Sequence, residues 1–179
     1  MGSIVISGST SGAITVSAPA EAGTNTISLP ASTSTLATTT DIAGPAFRAT
    51  TNGTAQSISA ATHTKILYAT EVFDTNNDYN VSDSVFTPTV AGYYQVSAGI
   101  YIAGAQTRCL VSLYKNSSAY SVLSDMNTSL NNFTNSGSVL VEMNGTDDTL
   151  SVYVFTTQTS IGGGDASRLW FTSHLARPA

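Results

Sequence analysis

From residue 93 the chain alternates with unusual regularity. In "YYQVSAGIYI" the residues Tyr94, Val96, Ala98, Ile100 and Ile102 fall on one side of an extended strand, and Tyr93, Gln95, Ser97, Gly99 and Tyr101 on the other. Pro88 and Gly92 precede this run and supply the break that starts it. The same period of two recurs in "TLSVYVFTT", which sets Leu150, Val152 and Val154 against Ser151, Tyr153 and Phe155. It recurs again in "RLWFTSHL", with Leu169, Phe171 and Leu175 opposite Arg168, Trp170 and His174. Strands are predicted over 46–51, 64–70, 93–103, 108–115, 137–143, 149–157 and 167–175, mostly separated by clusters of Gly, Asn, Asp or Ser. No segment carries the 3.6-residue period of an amphipathic helix. The prediction is an all-β chain, folded as an antiparallel sandwich.

The first part of the chain differs. Residues 1–43 hold two charges, Glu21 and Asp41, and no aromatic residue, whereas residues 44–179 carry every aromatic. Short ladders, "SIVIS", "AITVS" and "NTISL", are broken by Gly, Pro and Ser. Each is too short to bury a core, so each is expected to pair with the main domain or with other copies of the chain. "PASTSTLATTTDIAGP" reads as a linker. The expected organisation is therefore a β-rich N-terminal segment, 1–43, and a sandwich domain, 44–179.

Several strands are aliphatic on one face and aromatic on the other. One face suits a core; with no helix available, the natural cover for the second is another subunit. Tyr101, Tyr153, Phe155 and Trp170 are the candidate interface residues. Composition points the same way. Charged residues make up 9% of the 179, against about 25% in an average soluble protein. A polar, weakly charged surface offers little electrostatic protection against self-association.

The same totals exclude other functions. Six scattered Lys and Arg and a net charge of −5 leave nothing to neutralise phosphates or anionic lipid. No window approaches the about 18 apolar residues of a membrane-spanning helix, so no membrane insertion is expected. The N-terminus lacks the basic start and apolar core of a standard signal peptide. Cys109 is the one cysteine, in the apolar run "CLVSLY", and reads as a small buried hydrophobe.

Candidate chemistry is sparse. His63 reads as a loop residue and His174 as a sheet residue at a subunit contact. No G-x-S-x-G elbow is present, and one Cys with two distant His does not make a zinc site. No enzyme activity and no cofactor are expected. Asp74, Asp78 and Asp83 in "DTNNDYNVSD" provide oxygen donors of the kind calcium takes, although the spacing is not that of an EF-hand loop. Asp147 and Asp148 in "GTDDT" are better explained by a hairpin turn. Tyr79, Tyr120 and the Asn-rich "MNTSLNNFTNSG" (126–137) are placed in loops, where aromatic rings beside amides would suit a glycan.

"AFRATT", "VFDTNNDYNVSDSVFTPTVAGYYQVSAGIYI", "VSLYKNSS", "GSVLVEMNGTDDTLSVYV" and "SRLWFTSHLA" follow one another in the order of a C1q-like globular head. This is the complement-type branch of the tumour necrosis factor-like jelly rolls, which the chain resembles over about three quarters of its length. Phe86, Pro88, Gly92, Tyr93 and Tyr94 match the family's Phe–Pro–Gly–Tyr element, and Trp170, Phe171 and Leu175 its closing strand. The resemblance implies a ten-stranded jelly roll in compact homotrimers with aromatic faces at the threefold axis. "SGAITVSAPAEAGTNTISLPASTSTLAT" is similar to a segment of tailed-bacteriophage structural proteins. Together the two resemblances imply a virion-surface protein. It would be a capsid decoration or cement protein or a short head spike, attached to other virion proteins through residues 1–43. The alternative is a tail-fibre tip that binds a host receptor or glycan.

Overall fold

The computed structural model describes residues 3–7, 10–17, 44–127, 129–163 and 166–179. The chain forms two compact units, Met1–Ala37 and Thr38–Ala179. The expected boundary at 43/44 adjoins the stretch 18–43, which lies outside the described residues, as does the ladder "NTISL".

In the first unit, β1 (Ser3–Ser7) and β2 (Ala13–Ser17) form an antiparallel hairpin. Gly12 adopts φ +79° in the turn, a conformation that costs glycine least. These two ladders pair with each other. They are close enough in sequence for a short turn to close them.

The second unit contains β3 (Ala46–Thr50), β4 (Gln56–Ser57), β5 (Thr64–Lys65), β6 (Thr70–Asp74), β7 (Tyr79–Asn80) and β8 (Val85–Phe86). It continues with β9 (Gly92–Gln106), β10 (Cys109–Lys115), β11 (Ser118–Met126), β12 (Leu130–Met143), β13 (Leu150–Thr156), β14 (Ser160–Ile161) and β15 (Trp170–Pro178). One 3-10 turn, Ala166–Arg168, is the only helical element among the described residues. A five-stranded sheet runs in the order β12-β9-β15-β3-β6. A six-stranded sheet runs β11-β10-β13-β8-β7, with β5 also paired to β13. All pairings are antiparallel, and β4 and β14 form a separate two-stranded pair.

The inner faces of the two sheets share one core. The five β9 residues on the predicted apolar face, Tyr94, Val96, Ala98, Ile100 and Ile102, are all fully buried, as are Leu150, Val152, Val154 and Phe171. At the centre the Phe47 ring stacks on Tyr79 at 4.6 Å and on Phe86 at 4.5 Å, and meets Phe171 edge-on at 4.9 Å. Phe47 and Phe171 belong to the five-stranded sheet, Tyr79 and Phe86 to the other, so this cluster joins the layers.

Three longer stretches differ from expectation, and the two-residue strands β4, β7, β8 and β14 were not expected either. Residues 64–70 form not one strand but a crossing from one sheet to the other. Thr64–Lys65 pair with β13 and Thr70–Asp74 with β3. Between them Ile66 and Tyr68 stay buried while Leu67 is exposed, so the period of two survives without a ladder. Gln56 replaces the missing strand partner: its Nε2 donates to Lys65 O at 2.8 Å, and its Oε1 accepts from Leu67 N at 2.9 Å. The second difference is β11, an edge strand not expected at all. Its register with β10 shifts twice, at Val111/Ser112 and Leu113/Tyr114, and each bulge resets the alternation that would have marked it. Third, β12 begins at Leu130, seven residues before the expected 137. Its polar start pairs with β9 across a bulge at Asn132, whose Oδ1 accepts from Gly104 N at 3.0 Å.

The core assignment yields a contrast in stability. Phe47→Ala is expected to cost about 3–5 kcal/mol in urea unfolding. Val122→Ala, on the exposed edge strand β11, should stay within about 0.5 kcal/mol.

Candidate assembly face

The outer face of the five-stranded sheet is where aromatic residues reach the surface in register. Trp170 on β15 lies opposite Gly99 on β9 and Thr50 on β3. The indole crosses the sheet over Gly99: a Cβ at that position would sit 2.7 Å from Trp170 Nε1. Glycine is therefore what lets a large flat side chain lie down on the sheet. The Arg48 guanidinium stands 5.7 Å from the Trp170 ring, and that of Arg168 stands 4.7 Å from the Tyr101 ring, both cation–π distances. His174, on the same face, lies opposite Gln95. Leu140, also opposite Gln95, is 52% exposed, and Phe73, opposite Arg48, is 45% exposed.

The four interface candidates thus separate into two pairs. Tyr101 and Trp170 share this face. Tyr153 and Phe155 lie on the outer face of the six-stranded sheet, where they have partners within the chain. Tyr153 stacks on Tyr114 at 3.9 Å, and Phe155 has His63 at 5.2 Å and the Arg108 guanidinium at 5.5 Å. Arg108 in turn makes a two-pronged contact with Asp125, at 3.2 and 3.0 Å, which raises the Arg108 pKa and lowers that of Asp125. Leu140 and Phe73 belong to the first face and were missed. The signal available was Leu140 standing between Ser138 and Glu142 on the polar register of its strand.

The structure places the glycan candidates in strands, not loops. Tyr79 is buried beneath Phe47, Tyr120 is in β11, and residues 130–137 are in β12. Asn135 is buried and donates to Cys109 O at 3.1 Å. Composition suggested loops here because edge-strand positions facing water tolerate Asn, Ser and Thr. Cys109 itself is fully buried, and burial raises its pKa, consistent with its reading as a small hydrophobe.

Asp74, Asp147 and Asp148, considered for calcium, serve the chain's own turns. Asp74 accepts from Asn76 N at 3.1 Å and Tyr79 N at 2.7 Å. Asp83 is exposed. Asp147 accepts from Asn144 Nδ2, and Asp148 from Lys115, Asn116 and the Asn144 amide at 2.7–2.9 Å. Asp78 is 5% exposed, accepts from Thr89 Oγ1 at 2.9 Å, and borders an open cavity of about 470 Å³ with Glu71 and Asn77. Among the described residues no three His, Cys, Asp or Glu side chains form a group able to hold a metal.

A family model for the C1q domain matches residues 46–176. The chain belongs to the C1q family. The globular domain of zebrafish complement 1qA has a similar structure, with a TM-score of 0.55 and 18% identity over 76% of this chain and 99% of that one. Murine APRIL matches with a TM-score of 0.55 and 6% identity over 74% of this chain and 98% of that one. No curated protein sequence matches the chain. The sandwich is thus a C1q/tumour necrosis factor-like jelly roll.

Asp78 and Asp148 have opposite effects on stability. Burial raises the Asp78 pKa, outweighing its hydrogen bonds from Thr89. Its contribution is therefore present below the unfolded pKa and lost as pH rises through the folded one. Burial also opposes ionisation of Asp148, but hydrogen bonds from Lys115, Asn116 and Asn144 prevail and lower its pKa. Its contribution is present above the unfolded pKa and lost as pH falls through the folded one. In thermal melts across the acid range, Asp78→Asn should raise Tm at neutral pH. Asp148→Asn should lower Tm at neutral pH and flatten the loss on acidification.

Proposed function

We propose that the chain is a non-enzymatic, homotrimeric head protein of a tailed-bacteriophage particle. It would lie on the capsid as a decoration or cement protein or stand there as a short spike. The observation that carries assembly is the outer face of the five-stranded sheet. Trp170 and Tyr101 lie there, and exposed Leu140 and Phe73 stand on the two edge strands of the same face. Aromatic and aliphatic residues on an otherwise uncovered sheet face suit the core of a subunit interface. Family membership supports the trimer, since C1q-type heads associate in threes. The likeness of residues 11–38 to phage structural proteins supports the particle, with the N-terminal segment as the attachment. Low charge supports both, because binding would rest on apolar area and backbone pairing more than on ion pairs.

Sedimentation velocity of the full chain should give a trimer, and Leu140→Glu should shift it toward monomer with its fold retained, because Leu140 is exposed in the protomer. A wild-type monomer at micromolar concentration overturns the assembly reading. Antibody-labelled electron microscopy of particles should then place the protein over the capsid. Label confined to the distal tail would favour a receptor-binding tip, and absence from particles would remove the virion assignment.

A further inference from the structure

The open cavity of about 470 Å³ beside Asp78 lies where the rims of the two sheets meet. Glu71 comes to it from β6, the last strand of the five-stranded sheet, and Asn80 from β7, the last strand of the six-stranded one. Asn77, Thr87 and Thr89 complete the polar part of its wall. Glu71 stands opposite Ala49, which is fully buried, so it holds the inward register of its strand. Asp78 is itself buried, and its two oxygens differ. Oδ1 accepts from Thr89 Oγ1 at 2.9 Å, whereas Oδ2 is buried without a hydrogen-bond partner. A carboxylate oxygen withdrawn from water and left unpaired is costly, and a cation beside it is what offsets that cost. The chain supplies none. Residues 66–107 contain four acidic side chains, Glu71, Asp74, Asp78 and Asp83, and no Lys, Arg or His. Neither ion pair among the described residues involves them. Asp74 adds its negative charge to the surroundings of Asp78.

We propose that this cavity is a calcium site, with Asp78 Oδ2 and the Glu71 carboxylate as its charged ligands. The remaining side-chain donors on the wall are amide and hydroxyl oxygens, the hard ligands that calcium takes and that softer metals do not select. Two carboxylates are too few to enclose the ion, and the open cavity leaves room for water in the other positions. Calcium accepts about six to eight oxygens in irregular geometry, whereas magnesium demands a near-ideal octahedron and fits such a wall less well. The ligand set differs from the one suggested by spacing along the chain. Asp74 is engaged by the amides of Asn76 and Tyr79, and Asp83 does not line the cavity. Glu71, from the neighbouring sheet, takes their place. A Glu on the inward register of an edge strand can also keep other strands from pairing there. The unpartnered Oδ2 across the same cavity is what calls for a cation.

The test is calorimetric titration of calcium into the chelator-treated full chain, with thermal melts in parallel. Calcium should bind at a single site with a dissociation constant of about 10⁻⁴–10⁻³ M, the range of weakly charged calcium modules. At about 10 mM it should raise Tm by a few degrees over sodium chloride of equal ionic strength. Magnesium should bind several-fold more weakly. Asp78→Asn and Glu71→Gln should each weaken calcium binding about tenfold or more, a loss of one charged ligand. Asp147→Asn, in the turn at 144–148, should leave it unchanged. Asp78→Asn is expected to melt above the wild type in chelator, so a lost calcium response in that variant is not a lost fold. A wild-type chain that binds no calcium at that concentration overturns the inference. Binding that survives in both Asp78→Asn and Glu71→Gln places the ion elsewhere and overturns it too, as does a thermal shift that sodium chloride reproduces.

Discussion

The sandwich depends on one ring, that of Phe47. It is stacked between residues of the opposite layer and braced edge-on by its neighbour Phe171. The strand carrying it is also tied to the last strand: Thr172 Oγ1 donates to Phe47 O at 2.6 Å. Tyrosine hydroxyls extend the cluster. Tyr79 donates to Tyr68 O at 2.9 Å, Tyr68 to Gly99 O at 3.3 Å and Tyr94 to Val90 O at 2.7 Å. A buried phenol must place its proton on an acceptor, and each of these finds a backbone carbonyl. Burial correspondingly lifts their pKa values, that of Tyr94 to about 12 with Asp78 adding to it. Apolar packing and hydrogen bonding thus act through the same side chains, and they connect the sheet crossing at 66–69 to the middle of β9.

The two outer surfaces solve the problem of exposed aromatics differently. On the six-stranded sheet the rings satisfy one another: Tyr114 with Tyr153, and Phe155 with His63 and Arg108. On the five-stranded sheet Trp170 lies flat over a glycine, and Leu140 and Phe73 have water beside them. The assembly reading rests on the second surface, although the first also leaves Val122 exposed on its edge strand. The distinction depends on what each ring meets across the sheet, and strand periodicity carries no such information.

Periodicity did make the inner faces legible. Tyr94 to Ile102, and Leu150 to Val154, alternate without interruption because their strands sit mid-sheet, where a register error would expose every apolar residue. Edge and crossing segments escape that constraint. Bulges interrupt the phase of β11, and a glutamine side chain stands in for a strand beside Leu67. Of the candidate interface residues, alternation alone could place Tyr101, Tyr153, Phe155 and Trp170 outside the core. It could not say that they belong to two opposite sheets, because strand order follows from long-range pairing.

That order has a consequence for how the protein is made. The final strand, β15, lies between β9 and β3, in the middle of its sheet and not at the rim. Until residues 170–178 leave the ribosome, the nascent chain has a gap where its central strand belongs, and Phe47 has no edge-on partner. The five-stranded sheet therefore cannot close until residues 170–178 have been synthesised. A frameshift or stop codon within 170–178 would not trim the domain at an edge; it would remove the strand on which both halves of the sheet close.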